Sequence, residues 1–267
     1  MNPSLPLPTD VRLMNFGAAL LMLVFVLLTL GGAASWLLRH PAFAIQSISV
    51  QGEVVRSHAV SFRHHVVPQL SGNFFTINLA QAKKAFESMP WVREAVVHRV
   101  FPGQLRTVVT EHEPLATWGE EGGNFMVNEQ GQVFEAPVEE VDIENLPRML
   151  GPEGSSSMVT RMYRVMQPML QSLDFNIEKM ELTARGSWRV WTTSGAQIEL
   201  GRGTESELVE RTQLLLKTLP QVTARYNRTP MALVGADLRH KDGYALRLRG
   251  VSTLDDNSPK NLEGSRR

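Results

Sequence analysis

The chain has 267 residues, enough for one or two domains, and its 27 basic and 27 acidic side chains leave a formal net charge of zero. This balance gives the chain no global electrostatic reason to bind nucleic acid or an anionic surface. The sequence has no cysteine, which excludes disulfides, thiolate nucleophiles and cysteine-ligated metal sites.

An uncharged apolar segment runs from Phe16 to Leu38. About 20 apolar residues span the hydrocarbon layer as a helix, so this length predicts a transmembrane helix at 16–38 behind a short tail at 1–15. A core helix is disfavoured because such a helix is rarely apolar on every face. The small residues at 31–34 fit a cleaved signal peptide, but the apolar run continues through Trp36 and is long for one. The sequence therefore favours an uncleaved membrane anchor.

The charges around this segment do not set its orientation, because Arg12 precedes it and Arg39 follows it. Residues 41–267 contain no second apolar run of spanning length. The bulk of the chain is therefore predicted to lie on one side of the membrane, and the residues alone leave open which side.

The first soluble segment is predicted to form a small α+β unit. Ile48 and Val50 alternate with polar residues, as in a half-buried strand. A short helix is predicted to begin at Ser57 and to end before Pro68.

A second helix and a hairpin complete this unit. Asn78 caps the helix, and Gln81 stands three residues later, as in a capping box. Strands are predicted at 93–100 and 105–111, joined by a turn at 101–104.

After Pro114, which is predicted to end the last of these strands, the chain changes character. The predicted strands are a hairpin at 125–134, single strands at 179–184, 188–193 and 197–200, and a terminal hairpin of 233–238 and 244–248. Residues 136–157 are predicted as a loop, and the polar residues 251–267 as disordered.

Two longer helices are predicted among these strands. The first covers 159–173 and contains Pro168 as a break or bend. The second begins at a capping box of Thr204 and Glu207 and is predicted to end at Pro220.

No catalytic, cofactor or metal motif is found in the sequence. The phosphate-loop, GxGxxG, GxSxG and SxxK patterns are absent, and the histidines lack the spacing of a metal site. Glu111 and Glu113 share one strand face, roughly 7 Å apart, which would suit paired carboxylates, but a solvated strand end is the simpler interpretation. The sequence therefore predicts a protein that is not an enzyme and binds no cofactor, metal or small-molecule substrate.

Seven motifs occur in an order that is similar to one known family. They are FAIQSISVQG at 43–52, MPWVREAVVHRVFPGQLRTVVTEHEPLATW at 89–118, FMVNEQGQVF at 125–134, NLPRMLGPEG at 145–154, LTARGSWRV at 182–190, IELGRG at 198–203 and ADLRHKDGYALRL at 236–248. In these motifs and in their order the chain resembles the FtsQ/DivIB family of bacterial cell-division proteins. Trp91, Phe101 and Pro102 fit the places that the family pattern gives to Pro-Trp-Val and to the Phe-Pro turn.

The resemblance implies an α+β chain in which a POTRA domain at 43–114 is followed by a mixed α/β domain with an antiparallel-rich sheet at 115–250. It implies a single-pass protein of the bacterial inner membrane, with a cytoplasmic N-terminus and a periplasmic bulk, located at the division septum. The implied function is a divisome scaffold that binds FtsB and FtsL and helps to control septal peptidoglycan synthesis. The POTRA domain would contact other divisome proteins, with Lys83 to Val92 as a candidate segment.

The terminal hairpin is the predicted partner site. As the last ordered strand pair it is a candidate sheet edge, whose unpaired N–H and C=O groups would accept a partner strand. Tyr244 and Leu246 would supply side-chain contacts, and the basic residues would attract an acidic partner segment. The predicted set is Arg185, Arg239, His240, Lys241, Asp242, Gly243, Tyr244, Ala245 and Leu246. His240 departs from the family pattern, which usually has an aromatic residue there, and Arg247-Leu248-Arg249 stand where a Trp is often found.

Two other functions remain as alternatives. A POTRA-bearing secretion or assembly component would need a β-barrel, for which 115–250 is too short and too helical. A membrane-anchored cell-wall hydrolase would need a catalytic constellation, which the sequence does not display.

Overall fold

The computed structural model describes residues 9–38, 40–52, 54–56, 59–137, 145–240 and 243–252. The chain divides into two compact units, Met1–His112 and Glu113–Arg267. The tail predicted at 1–15 lies outside the described residues up to residue 8, and the tail predicted at 251–267 lies outside them from residue 253 onward.

The first unit begins with helix α1, Thr9–Leu38, which starts before the predicted Phe16. Its segment Leu13–Leu38 is long and apolar enough to cross a membrane, and none of it is buried inside the fold. An apolar helix surface that the other described residues leave uncovered is what a lipid-facing helix presents.

A three-stranded sheet with two helices forms the rest of this unit. Its elements are β1 Ser47–Gln51, α2 Ala59–His65, α3 Leu79–Glu87, β2 Val92–Val100 and β3 Gln104–Glu111. The strand order is β1-β3-β2, in which β1 is parallel and β2 antiparallel to β3. The predicted cap of α3 is confirmed, because the Asn78 side chain accepts hydrogen bonds from the backbone of Ala80 and Gln81. Phe86 of α3 is 1% exposed and lies in the core of this unit.

The second unit is built on a nine-stranded mixed sheet. Its elements are β4 Pro114–Trp118, β5 Phe125–Asn128, β6 Val133–Glu135, β7 Arg148–Leu150, α4 Ser156–Gln171, β8 Ile177–Leu182, β9 Trp188–Thr192, β10 Gln197–Gly201, α5 Glu205–Arg225, β11 Leu233–Asp237 and β12 Ala245–Leu248. The strand order is β12-β11-β10-β9-β8-β7-β4-β5-β6, and most neighbouring pairs are antiparallel. The predicted fold class, α+β with an N-terminal apolar helix and an antiparallel-rich second sheet, is confirmed.

Helices α4 and α5 bury their apolar stripes against this sheet. Met166 of α4 and Leu215 of α5 are fully buried in one core together with Val190 and Ile198 of the central strands. The predicted capping box of α5 is confirmed, because Thr204 and Glu207 exchange their hydrogen bonds.

The prediction that Pro220 ends this helix is wrong, because α5 continues to Arg225. Pro220 lacks the N–H that would bond one turn back, which normally disfavours a helix interior. Leu215, Leu219 and Thr223 are all buried along one stripe on both sides of it. Tertiary packing therefore holds the helix through the proline.

Two strands were missed by the sequence analysis. Pro114 begins β4 rather than only ending a strand, and β7 lies inside the segment 136–157 that was predicted as a loop. Both pair with each other in the middle of the sheet, Thr117 with Arg148 and Trp118 with Met149.

Candidate functional site

The terminal strand β12 forms one edge of the nine-stranded sheet and pairs antiparallel with β11. Leu248 is buried and Leu246 packs against the core, whereas Ala245 and Arg247 are exposed. This alternation is that of a strand with one face on the core and one in solvent. The expected sheet edge is therefore present, and Ala245 and Leu246 of the predicted set lie on its opposite faces.

Arg239 is held by an ion pair within the hairpin. Its Nε donates to Asp237 Oδ1 at 2.8 Å and its Nη2 to Oδ2 at 2.6 Å, while its backbone N–H donates to Oδ1 at 3.0 Å. These hydrogen bonds lower the pKa of Asp237 to about 2 and raise the pKa of Arg239. The guanidinium is exposed, but its carboxylate-binding edge is already occupied.

Asp237 continues a cross-strand row of charged residues on the sheet face opposite the helices. Strand register aligns Asp237 with Glu199, Glu199 with Arg189, and Arg189 with Glu181. Arg189 lies 3.1 Å from Glu199 and 3.9 Å from Glu181. The negative and positive charges of these side chains therefore compensate one another along this face, and the row ends at the Asp237–Arg239 pair.

Tyr244 connects the hairpin to α5. Its hydroxyl is hydrogen-bonded to Thr218 Oγ1, and its ring packs against the core as a half-buried side chain. Thr218 Oγ1 also donates to the carbonyl of Leu214 at 2.6 Å. Tyr244 therefore attaches the hairpin to α5, in addition to being a candidate contact for a partner.

A cavity of about 240 Å³ opens between α5 and this hairpin. Its lining residues are Arg211, Leu214, Leu238, Arg239, His240, Gly243 and Tyr244. The Arg211 Nη1 donates to the carbonyls of Leu200 and Arg202 at 3.1 and 2.8 Å, which fixes this guanidinium at the cavity wall. Two arginines and a histidine next to two leucines and a tyrosine would suit a side chain that is partly apolar and carries a negative charge.

The structure thus brings together four of the predicted residues, Arg239, His240, Gly243 and Tyr244, and adds three that the sequence analysis missed, Arg211, Leu214 and Leu238. Arg211 and Leu214 stand on α5 with Thr218 at i, i+3 and i+7, which places all three on one helix face. That spacing can be recognised in the sequence. The structure is needed to show that this face of the helix lies next to the hairpin. Lys241 and Asp242 lie outside the described residues.

Arg185 occupies a separate position. It is exposed in the turn that joins β8 to β9 and does not line the cavity. Because Trp188 pairs with Gly201 and Asp237 with Glu199, this turn and the β11–β12 loop lie at the same end of the sheet. Three strand spacings separate β9 from β12, roughly 14 Å.

In the part of the chain that the structure describes, the His, Asp and Glu side chains form no group of three or more that could hold a metal ion. The Glu111 carboxylate accepts hydrogen bonds from the backbone N–H groups of Val55 and Arg56, each at 3.0 Å. Glu111 therefore fixes the loop after β1, which gives this carboxylate a structural role.

Comparison with known proteins identifies both units. Residues 43–112 match the family described as POTRA domain, FtsQ-type, and residues 116–239 match the family described as Cell division protein FtsQ/DivIB, C-terminal. A POTRA unit followed by this C-terminal domain places the chain among bacterial cell-division proteins with an N-terminal helix able to anchor them in a membrane.

Whole-chain relatives agree with this class. The chain is 37% identical to Cell division protein FtsQ of Thiomonas arsenitoxydans over 257 residues, which cover 96% of this chain and 93% of the relative. It is 38% identical to the Burkholderia pseudomallei protein of the same name over 248 residues, covering 92% and 96% of the two chains, and 33% identical to that of Bordetella pertussis over 257 residues, covering 90% and 92%. The chain belongs to the FtsQ/DivIB family, and the resemblance seen in its motifs is confirmed.

Proposed function

We propose that this chain is a non-enzymatic scaffold of the divisome that binds FtsB- and FtsL-type partners through its terminal hairpin. The observation that carries this proposal is the position of β12 at the edge of the sheet among the strands that the structure describes, next to the cavity between the hairpin and α5. An exposed edge offers a row of backbone N–H and C=O groups to a strand from another chain.

The partner strand would lie along β12 and place a side chain in the cavity. Arg211, Arg239 and His240 favour an acidic side chain there, and Leu214 favours one with an apolar stem. A partner carboxylate has to share or displace Asp237 at Arg239, because Asp237 already holds both edges of that hydrogen-bonding fork. Arg185, at the same end of the sheet, would meet a more distant acidic residue of the same partner.

The other parts of the chain would position this surface. Helix α1 is proposed to anchor the chain in the inner membrane with its N-terminus in the cytoplasm, so that modules at 43–114 and 115–250 project into the periplasm. The division between His112 and Glu113 supports two such modules. At the septum, partner binding would help to control septal peptidoglycan synthesis.

The POTRA module would recruit other division proteins through its second helix, α3. Within the candidate segment, Ala85, Phe86, Trp91 and Val92 are buried, which leaves Lys83 and Lys84 among its exposed side chains. Lys83 pairs with Glu87 at 3.5 Å. Lys84→Glu should therefore weaken recruitment of a fluorescent fusion of the chain to the septum, while Lys83→Gln, which removes a paired lysine, should have a smaller effect; equal septal intensity for Lys84→Glu and the unaltered chain would rule this surface out.

The partner proposal is tested by a matched pair of substitutions at the two edges of the sheet. Ala245→Glu puts a charge on exposed β12, and Val133→Glu puts the same charge on β6, the opposite edge, where Val133 is 41% exposed. Point changes are needed because the hairpin contributes buried Ala236, Leu238 and Leu248 to the core, so its removal would disrupt the domain.

The full chain in lipid nanodiscs would be titrated with an FtsB–FtsL fragment. We expect Ala245→Glu to weaken binding at least tenfold, because the charge disfavours strand addition and repels an acidic partner. Val133→Glu should leave the affinity unchanged. Equal affinities of the two variants and the unaltered chain would contradict the edge-strand site.

A further inference from the structure

Three loops of the first unit meet at the C-terminal end of α1. The Asn73 side-chain amide donates to the carbonyl of Leu38, the last residue of the helix. The backbone N–H of Phe74 donates to the carbonyl of Phe43 at 2.8 Å, and that of Gln46 to the carbonyl of Gly103 at 2.8 Å. Segments 41–46, 71–77 and 101–103 are thereby connected to one another and to the end of the apolar helix.

These segments carry a cluster of phenylalanine rings, here called the aromatic patch: Phe43, Phe74, Phe75 and Phe101. Phe75 makes edge contacts with Phe43 and Phe74, with ring centroids 5.0 and 5.2 Å apart, and Phe74 reaches Phe101 at 6.1 Å. Phe74 is only 7% exposed, whereas Phe75 is 43% and Phe101 is 74% exposed. The buried ring therefore supports two rings that face outward.

The three segments that carry the aromatic patch have no charged side chains. None of PAFAIQ at 41–46, SGNFFTI at 71–77 and FPG at 101–103 contains an acidic or basic residue. An exposed apolar surface of this kind on a folded domain marks a contact with a partner or a membrane. Its connection to the end of the candidate span selects the membrane.

The helix itself indicates the depth of the patch. Trp36 lies within the last turn of α1 and makes an edge contact with His40, with ring centroids 5.2 Å apart. Tryptophan in a membrane helix prefers the boundary between hydrocarbon and headgroups. Trp36 and Leu38 are about 3 Å apart along a helix axis, so loops bonded to Leu38 lie near the same level.

We propose that the aromatic patch inserts Phe75 and Phe101 into the headgroup region of the bilayer and so docks the first unit on the membrane surface. This inference rests on the membrane anchoring by α1 in the proposed function. Arg99, whose Nη2 donates to the carbonyl of Ile77 at 2.6 Å, places a cation at the rim of the patch that would meet anionic lipid phosphates. The docked POTRA unit would then have a fixed orientation to the membrane instead of moving freely at the end of the anchor.

The absence of native cysteines allows a clean test by single-cysteine labelling of the full chain. Nitroxide labels would be placed at Leu27→Cys, Phe75→Cys, Phe101→Cys and Val55→Cys in vesicles of phosphatidylethanolamine and phosphatidylglycerol. Leu27 lies in the candidate span. Val55, an apolar residue that is 72% exposed, is the control, because it lies beside Glu111 at the far end of β3, roughly 25 Å from the 101–103 turn.

Collision rates with oxygen and with a water-soluble nickel chelate separate the outcomes. A lipid-facing label meets oxygen and not the chelate, a water-facing label meets the chelate, and a label buried in protein meets neither. We expect labels at 27, 75 and 101 to lose access to the chelate and to keep access to oxygen, while the label at 55 keeps access to the chelate. A shielded label at 27 with labels at 75 and 101 as open to the chelate as 55, or shielded from oxygen as well, would overturn the docking alone. A label at 27 open to the chelate would overturn the anchor and the docking together.

Discussion

Asp237 already pairs with Arg239, the cation that the proposed site would offer to a partner carboxylate. The folded-state pKa of Asp237, about 2, is below its ordinary value of 3.8, so the contribution of this pair to stability is fully present above pH 3.8 and is lost as the pH falls through about 2. At neutral pH the pair is therefore intact whenever a partner approaches. In the proposed binding mode, a partner carboxylate would therefore have to displace or share an existing ion pair.

Asp237→Asn should strengthen partner binding. The substitution frees the Arg239 guanidinium and removes a negative charge that repels an acidic segment. Because exposed ion pairs contribute little, the expected gain in affinity is modest, about two- to fivefold in a titration of the full chain with the partner fragment. Glu121→Gln, which removes the exposed Arg148–Glu121 pair at 3.4 Å, is the matched control and should leave the affinity unchanged. Weaker binding by Asp237→Asn would mean that Asp237 itself contacts the partner.

The side chains of the site were only partly foreseeable from the sequence. Arg239 was predicted to attract an acidic partner segment and Tyr244 to supply a side-chain contact. Neither an Arg-Asp pair two residues apart nor a distant threonine is visible as an intramolecular partner in a linear pattern. The structure gives both side chains intramolecular partners, Asp237 and Thr218. A substitution at Tyr244 therefore tests the attachment of the hairpin to α5 as well as partner capture.

Helix α5 carries two neighbouring leucines with opposite environments. Leu214 lines the cavity and is 47% exposed, whereas Leu215 is fully buried in the core. Replacing each leucine by alanine makes the same chemical change in the same helix. Comparing the two variants therefore distinguishes an effect on partner contact from an effect on the stability of the domain.

Leu214→Ala should weaken partner binding severalfold and change the free energy of unfolding by less than about 0.5 kcal/mol, as expected for a surface position. Leu215→Ala should cost about 2–5 kcal/mol, because it removes buried methyl groups from a packed core. Denaturant unfolding and partner titration of both variants measure the two effects. Unaltered affinity with Leu214→Ala would exclude the cavity from the interface.

At the scale of elements, the sequence predicts helix starts and tight turns well, because these features depend on residues close together in the chain. The predicted caps at Asn78 and Thr204, the turn at 101–104 and the hairpin at 125–134 correspond to observed helix starts and strand pairs. The three-residue strand β7 was missed because it is too short to display alternation, and its pairing with β4 and β8 links residues far apart in sequence. Pro114 misled because proline is tolerated as the first residue of a strand.

Across the whole molecule, each unit encloses its own core. Phe86, Leu105 and Val109 belong to the core of the first unit, and Met180 and Leu215 to that of the second. A pattern of residues can predict two such cores, but which strands close each one depends on long-range pairing. A cavity created in one core should therefore destabilise the unit that contains it.

Phe86→Ala should therefore destabilise the POTRA unit without loosening the second unit. Phe86 is 1% exposed, and truncating a buried phenylalanine costs about 3–5 kcal/mol. Hydrogen exchange of the full chain in nanodiscs reports each unit separately, since protection factors follow the free energy of local opening. We expect protection to fall in peptides from β2 and β3 and to persist in those from β9 and β10, with Leu215→Ala giving the reverse pattern. Loss of protection in both units for either variant would mean that the two cores unfold as one, and partner binding to the terminal hairpin would then depend on the stability of the POTRA unit as well.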